Sequence, residues 1–379
     1  MEAILVLLAF PLAWPFIAKR IWGTEINLTE MAINIIVICL LSLGVWELGK
    51  YGQVADTEIW NGAVTRKDRT HGYYVTSYSC NCRQTCSGSG KNRTCTQTCD
   101  TCYQDHYTVA WTADTTVGNV TFQKLDRSYR SVYQTPDPEV YTRCKVGEPA
   151  AIEHGYTNYI QAVPQSLFSG DKEAVSTWAL PTYPRVYDFY RIRRVLNIDT
   201  KIANVAIDEI NNALNAALKD LGQEKQVNVI VILTETDDPA YRYSVEKKWI
   251  GGKKNDVVVF VGLDGDVITW ADTMTWALNK GNELFHVKLR DAVKGLKTLD
   301  PKTFVPSVIS TIEQHYDRPE MKQFEYLKEE IKPPLWVMVL AIAIATLGSI
   351  GLSQVFRVYE VEDFIGGLLT FNSRKGYER

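Results

Sequence analysis

The sequence predicts a multidomain membrane protein built from three transmembrane helices, a small cysteine-rich β domain and an α/β domain. Three observations carry that prediction. Uncharged apolar runs occupy residues 3–18, 31–46 and 333–356. Between the second and third runs, six cysteines fall within 23 residues, from Cys80 to Cys102. Downstream of about Lys201, amphipathic helical patterns alternate with short β-branched runs of the kind buried in a sheet.

The run 333–356 meets the length of roughly 20 apolar residues that a helix needs to cross the hydrocarbon core. The run 31–46 is shorter, lying between Glu30 and Glu47, so a span there must draw on its polar, uncharged flanks or on local thinning of the bilayer. The run 3–18 lacks the basic leading segment of a secretory signal, starts Met1-Glu2 and carries Pro11 and Pro15 ahead of Lys19-Arg20. It is expected to stay uncleaved and to form a hairpin with the second span. Lys19, Arg20, Arg357, Arg374, Lys375 and Arg379 place the first loop and the tail in the cytoplasm by the positive-inside bias. The flanking Lys50, Arg318, Lys322, Lys328 and Lys332 weaken that bias, so the cysteine content decides the orientation.

The expected organisation is a transmembrane hairpin over residues 1–50, a cysteine-rich β domain over 51–165, a linker over 166–194, an α/β domain over 195–330, a C-terminal transmembrane helix over 331–356 and a cytoplasmic tail over 357–379. The linker is marked by Pro181 and Pro184 in an aromatic-rich stretch. A net charge of −3 gives no electrostatic footprint for nucleic acid.

In the β domain, alternating runs such as Tyr73-Tyr74-Val75-Thr76 and Tyr107-Thr108-Val109-Ala110-Trp111 read as strands. Cys80, Cys82, Cys86, Cys95, Cys99 and Cys102 are too dense to be explained by packing. In an oxidising compartment they form a disulfide framework; in a reducing one, Cys80/Cys82 and Cys99/Cys102 suit tetrahedral zinc. The topology favours disulfides, with zinc reserved for a cytoplasmic β domain. Cys144 is then expected either to pair with a cluster member across the sheet or to be exposed for an intermolecular bond. The short polar stretch 87–92 reads as a hairpin tip. His106, just behind the cluster, is a possible zinc ligand but more simply a structural residue.

The second domain opens with a helix bearing Ile207, Ile210, Leu214, Ala217 and Leu221 on one face and ended by Gly222. A strand at 227–233, a helix entered through Asp237-Asp238-Pro239, a strand at 257–261 and a hairpin through Asp264-Gly265-Asp266 follow, then two amphipathic helices. This order, with Trp249-Ile250-Gly251, Lys253 and Asn255 leading into Val257-Val258-Val259-Phe260-Val261, resembles the TPM domain family over residues 195–320. The resemblance implies an α/β/α domain held outside the cytoplasm by a membrane helix, with metal binding or phosphatase activity in some members. Asp256 replaces a glycine usual in the family. Ser79-Cys80-Asn81-Cys82-Arg83 and Tyr183-Pro184-Arg185-Val186-Tyr187-Asp188 also look like stretches in membrane proteins of tailed bacteriophages.

Candidate chemistry rests on Asp237, Asp238, Asp256 and Asp272, whose carboxylates at strand ends suit Ca²⁺ or Mg²⁺ if they converge, and on Lys253 and Lys254 for phosphate. All six residues are of types that are also ordinary turn and cap formers. The sequence holds no Gly-x-Ser-x-Gly, His-Glu-x-x-His, P-loop or Gly-x-Gly-x-x-Gly motif. The expectation is a bacterial inner-membrane protein with a periplasmic binding or scaffolding module. Its expected partners are membrane lipids and either another envelope protein or a second copy. A metal-dependent phosphatase of the TPM type is the alternative.

Overall fold

The computed structural model describes residues 2–23, 26–87, 94–128, 130, 132–160, 178–184, 193–249, 252–277 and 282–358. The expected hairpin tip, most of the expected linker, Ile250, Gly251 and the tail beyond Val358 lie outside these residues. The chain forms two compact units. One comprises Met1–Asp56, Tyr156–Ser169 and Met321–Arg379; the other comprises Thr57–Gly155 and Gly170–Glu320.

The first unit is a helical bundle. α1 (Glu2–Trp22) contains Pro11 and Pro15, and α2 (Leu28–Val54) follows. The third helix is continuous but changes pitch, from α8 (Leu335–Ala343) through a π turn at Ile344–Gly348 to α9 (Ser349–Val358). The three helices are long and apolar enough to cross a membrane. The second exceeds its expected apolar run. Asn27 Oδ1 accepts the Glu30 N–H at 2.8 Å while Glu30 Oε2 accepts the Asn27 N–H at 2.8 Å. This capping box makes Glu30 part of the first turn of the helix rather than a residue outside it.

Buried positions on the third helix recur every four residues, at Val337, Ala341, Ala345, Ser349 and Ser353. At 3.6 residues per turn such a stripe would rotate by about 160° over its length. The π turn takes up an extra residue midway and brings the stripe back toward α2. There Asn34 Nδ2 donates to Ser349 O at 3.0 Å and to Ser353 Oγ at 2.9 Å. Small residues with an interhelical amide bond are how apolar helices associate where burial itself supplies no drive.

The second unit holds two sheets. The first has the order β3-β2-β1-β4, with β1 (Ala55–Ser87), β2 (Thr94–Thr115), β3 (Gly118–Ser128) and β4 (Pro149–Thr157). β1 and β2 are far longer than the short runs read from the sequence, and their outer parts leave the sheet as a two-stranded ribbon. The sheet's root has its own small cores. Val64, Ala113, Cys144 and Ala150 form one, and Val109, Trp111 and Val132 the other. Arg69 ties the segment following β3 over Trp111, donating to Tyr133 O, Thr135 O and Asp137 Oδ1 while Trp111 Nε1 donates to the same carboxylate oxygen.

The second sheet has the order β5-β6-β7-β8. β5 (Val195–Ile198), β6 (Asn228–Thr234) and β7 (Asp256–Asp264) run parallel, and β8 (Val267–Thr275) returns antiparallel to β7. Every residue of β6 is buried, as its continuous β-branched run predicts for a strand covered on both faces. The alternate residues Val229, Val231, Leu233, Val257, Val259 and Val261 pack against α4 (Asn204–Lys225), α6 (Asn282–Gly295) and α7 (Pro301–His315) in the main core. A shorter helix, α5 (Tyr241–Lys248), packs against β8.

One sequence expectation is corrected here. Gly222 does not end α4, which runs a further turn to Lys225 and is capped by Gln226 in the left-handed region at φ 49°. Gly222 instead marks a close approach: a Cβ there would lie 2.4 Å from Asn61 Cβ and 2.9 Å from Asn61 O. Glycine sits there because β1 passes directly over the helix backbone.

Candidate functional site: a disulfide-laddered ribbon

The ribbon is the outer part of the β1–β2 pair. β3 pairs with β2 as far as His106, opposite Tyr74, so the two-stranded part of β1 runs from Val75 to Ser87 with Tyr73 and Tyr74 at its base, and no residue of β1 there is fully buried. An isolated two-stranded hairpin is marginal in water, and here three nested disulfides staple it: Cys80–Cys102, Cys82–Cys99 and Cys86–Cys95. The six clustered cysteines are therefore disulfides, as the density argument expected.

A bulge makes the ladder possible. Cys80 pairs in register with Asp100, whereas Arg83 pairs with Thr98, so two residues of β1 oppose one of β2 between them. Asn81 sits at this shift with φ 47°, a conformation asparagine tolerates better than most side chains. Without the extra residue, the Cys80 register would set Cys86 opposite Thr94. With it, Cys86 stands directly opposite Cys95. The connectivity could not be read from the sequence; the strand register, shifted by the bulge, sets the nested pairing.

Cys144 departs from both roles expected of it. It is a free thiol, 1 % exposed, packed with Val64, Ala113 and Ala150. Burial raises its pKa above the ordinary thiol value, which makes it an inert packing residue. His106 lies on the ribbon's shoulder, stacked on Tyr74 at 4.6 Å, its ring nitrogens 3.0 Å from Thr76 Oγ1 and from Asp126 Oδ1.

The ribbon's outward character is aromatic. Tyr73, Tyr74, Val75, Tyr78 and Tyr103 are all among the exposed large apolar side chains. In register, Tyr73 opposes Tyr107 and Ser77 opposes Tyr103, so alternation sets Tyr73, Val75, Tyr103 and Tyr107 on one face. Tyr74 and Tyr78 occupy the other.

The carboxylates and lysines singled out in the sequence fall elsewhere, and the structure separates them. Asp256 opens β7, level with Asn228 at the start of the parallel β6. Asp237 and Asp238 follow the opposite end of β6, and Asp272 pairs with Phe260, four residues along β7. Parallel strands start at the same sheet edge, so Asp256 cannot meet Asp237 and Asp238. Asp272 forms an ion pair with Arg242 at 3.2 Å, and Asp238 Oδ1 accepts the Ala240 N–H at the entry to α5. Asp264 and Asp266 stay in the hairpin turn. Among the described residues, no group of three or more His, Cys, Asp or Glu side chains is placed to hold a metal ion.

Asp256 belongs to a buried polar network at the root of the ribbon. It accepts from Asn228 Nδ2 at 2.7 Å, Tyr183 OH at 2.6 Å and the Lys253 N–H at 3.2 Å. Burial lifts its pKa to about 6 against these hydrogen bonds. The fully buried Arg194 donates to Asn61, Asn215 and Asn228 side-chain oxygens; burial lowers its pKa to about 9, opposed by the Asp256 charge. A guanidinium held by carboxamide oxygens beside one carboxylate has its donors satisfied at a site closed to water, which marks a structural joint. The lysines are equally committed. Lys253 Nζ engages Glu153 at 3.1 Å and Thr57, and the buried Lys254 donates to Pro319 O at 2.5 Å. Neither offers the free ammonium a phosphate site requires. Sequence reasoning missed Arg194, Asn61 and Asn228, which no local motif distinguishes. No family model, no curated protein and no solved structure matches this chain.

Proposed function

We propose that the chain is a membrane-anchored extracytoplasmic recognition or scaffolding protein whose binding element is the disulfide-laddered ribbon. The observation that carries this reading is the ribbon itself. A stapled pair of strands, solvated on both faces and carrying exposed tyrosines, contributes no core to the fold, so its ordering must serve something outside it. Tyrosine supplies large amphipathic contact area at low entropic cost, and cross-linking reduces the ordering that binding would require. Disulfides persist in oxidising compartments, which supports an ectodomain outside the cytoplasm, and Lys19, Arg20 and Arg357 at one end of the bundle agree with that orientation. The order of helices and strands from α4 to α7 supports the TPM resemblance as a reading of the second sheet and its helices. The phosphatase alternative has no specific observation in its favour, since the acidic residues on which it rested are spread over both ends of the sheet.

The test is site-specific photocrosslinking in intact cells. A crosslinker at Tyr103 should give a discrete adduct that disappears in a Tyr73→Ser/Val75→Ser variant, while one at exposed Val205 on α4 gives none. Equal adducts at both positions, or none at Tyr103, would overturn the ribbon as the recognition element.

A further inference from the structure

The helical unit carries its own markers of membrane depth. At one end Arg357 lies 5.6 Å over the Trp22 ring, beside Lys19 and Arg20. At the other end Trp46 is buried against Leu7 and Ala341, and a Cβ on Gly49 would sit 2.5 Å from Val337 and 3.0 Å from Pro333. From Leu28 to Trp46, α2 rises about 28 Å at 1.5 Å per residue, close to the roughly 30 Å of hydrocarbon. The last two turns of α2, from Glu47 to Val54, therefore stand at headgroup depth on the side from which β1 departs.

A cleft of about 480 Å³ runs along those two turns. Its wall after β4 is pinned to α2. Asn158 N–H donates to Val54 O at 2.6 Å, and Asn158 Nδ2 and Tyr156 OH both donate to Asp56 Oδ2 at 2.9 Å. Its other wall leads out of a 3-10 helix, Met321–Glu329, whose half-buried Met321, Phe324 and Leu327 recur at the three-residue spacing that such a helix aligns. Into the cleft face Leu48, Ile331, Tyr51, Tyr159 and the two cations Lys50 and Lys328. Lys50, 23 % exposed, pairs at 3.3 Å with Glu47, which is 59 % exposed and also lines the cleft, so a bound phosphate competes with that solvated carboxylate for the ammonium. Lys328 has no ion pair among the described residues.

The geometry points to a site for an anionic phospholipid of that leaflet, its phosphate diester between Lys50 and Lys328 and an acyl chain along Leu48 and Ile331. Apolar side chains, tyrosines and two lysines lining one cleft match the chemistry of a lipid at the headgroup boundary. The inference rests on the bundle crossing a bilayer and is independent of what the ribbon binds.

Full-length protein, delipidated in mild detergent, would be titrated with phosphatidylglycerol and with phosphatidylcholine and read by native mass spectrometry. Discrete phosphatidylglycerol adducts should survive where phosphatidylcholine is lost, and Lys50→Ala/Lys328→Ala should weaken retention roughly thirtyfold. Lys328 is exposed and Lys50 half-buried, and unchanged melting of the variant confirms folding. Lys322→Ala, on the same 3-10 helix outside the cleft, should retain lipid like the wild type. Equal retention of both lipids, undiminished retention by the double variant, or equal loss in Lys322→Ala would overturn the site. Displacement by free glycerol phosphate would assign the cleft to a soluble phosphate and overturn the lipid.

Discussion

Asn255 takes both backbone hydrogen bonds of Ile59: its Nδ2 donates to Ile59 O at 2.6 Å and its Oδ1 accepts the Ile59 N–H at 3.3 Å. A side-chain amide thus stands in for the neighbouring strand that β1 lacks at this point. The same Nδ2 also donates to Gln226 O at 3.0 Å, so one residue joins the root of the ribbon to the end of α4. Asn255→Ala is expected to leave buried peptide groups unpaired and to cost about 2–4 kcal/mol. Asn255→Asp should cost more, because it sets a carboxylate against two carbonyl oxygens. Thermal unfolding of the full-length protein in detergent checks both, and a loss below about 0.5 kcal/mol in Asn255→Ala would show that the joint is not a stability element.

Asp256 should give the unfolding curve a specific pH dependence. Its folded pKa lies above its unfolded one, so the folded state favours the protonated form. That contribution is complete below about pH 4 and is lost as pH rises through about 6. At roughly 1.36 kcal/mol per pH unit, the loss is on the order of 3 kcal/mol. The difference in stability between wild type and Asp256→Asn should therefore change between pH 4 and 6 and be flat above about 7. A difference independent of pH would place the ionisation elsewhere.

The disulfide ladder should matter locally. Chain-entropy arguments give about 2–4 kcal/mol per bridge, but the stapled segment buries no core, so its opening does not require the sheets to unfold. In a Cys82→Ser/Cys99→Ser and Cys86→Ser/Cys95→Ser variant, hydrogen exchange and protease cleavage between Tyr73 and Tyr103 should rise sharply. The melting temperature of the rest should stay within a few degrees. A collapse of the whole second unit would contradict this separation.

Asn34 gives the bundle its interhelical amide. Asn34→Leu removes the donors to Ser349 O and Ser353 Oγ, and in a bilayer such bonds average about 0.6 kcal/mol with a ceiling near 1.7. A loss of about that size is expected in detergent-titration unfolding. Asn34 Oδ1 has no hydrogen-bond partner among the described residues, so leucine also relieves a buried polar atom. A stabilised variant would mean that this relief outweighs both bonds.

Length, periodicity and cysteine density were legible locally. The apolar runs located the three long helices, the β-branched runs located β6 and β7, and the cysteine cluster marked a disulfide or zinc element, since each depends only on residues near one another in the chain; the membrane topology then favoured disulfides. The disulfide connectivity was not legible there, because it depends on the register and bulge of the β1–β2 pair. What else the sequence could not determine depends on residues brought together across more than a hundred positions. Gly222 read as a helix stop because glycine often is one, yet only the passage of Asn61 over α4 explains it. Asp237, Asp238, Asp256 and Asp272 read as a cluster because all lie near strand ends, and the parallel pairing of β6 with β7 sent Asp256 to the opposite edge. Lys253 and Lys254 read as free cations because their partners, Thr57, Glu153 and Pro319, are remote in sequence. Burial and pairing of polar groups are properties of the packed chain, and they alone turned an apparent binding site into a joint and left the ribbon, among the described residues, as an exposed feature.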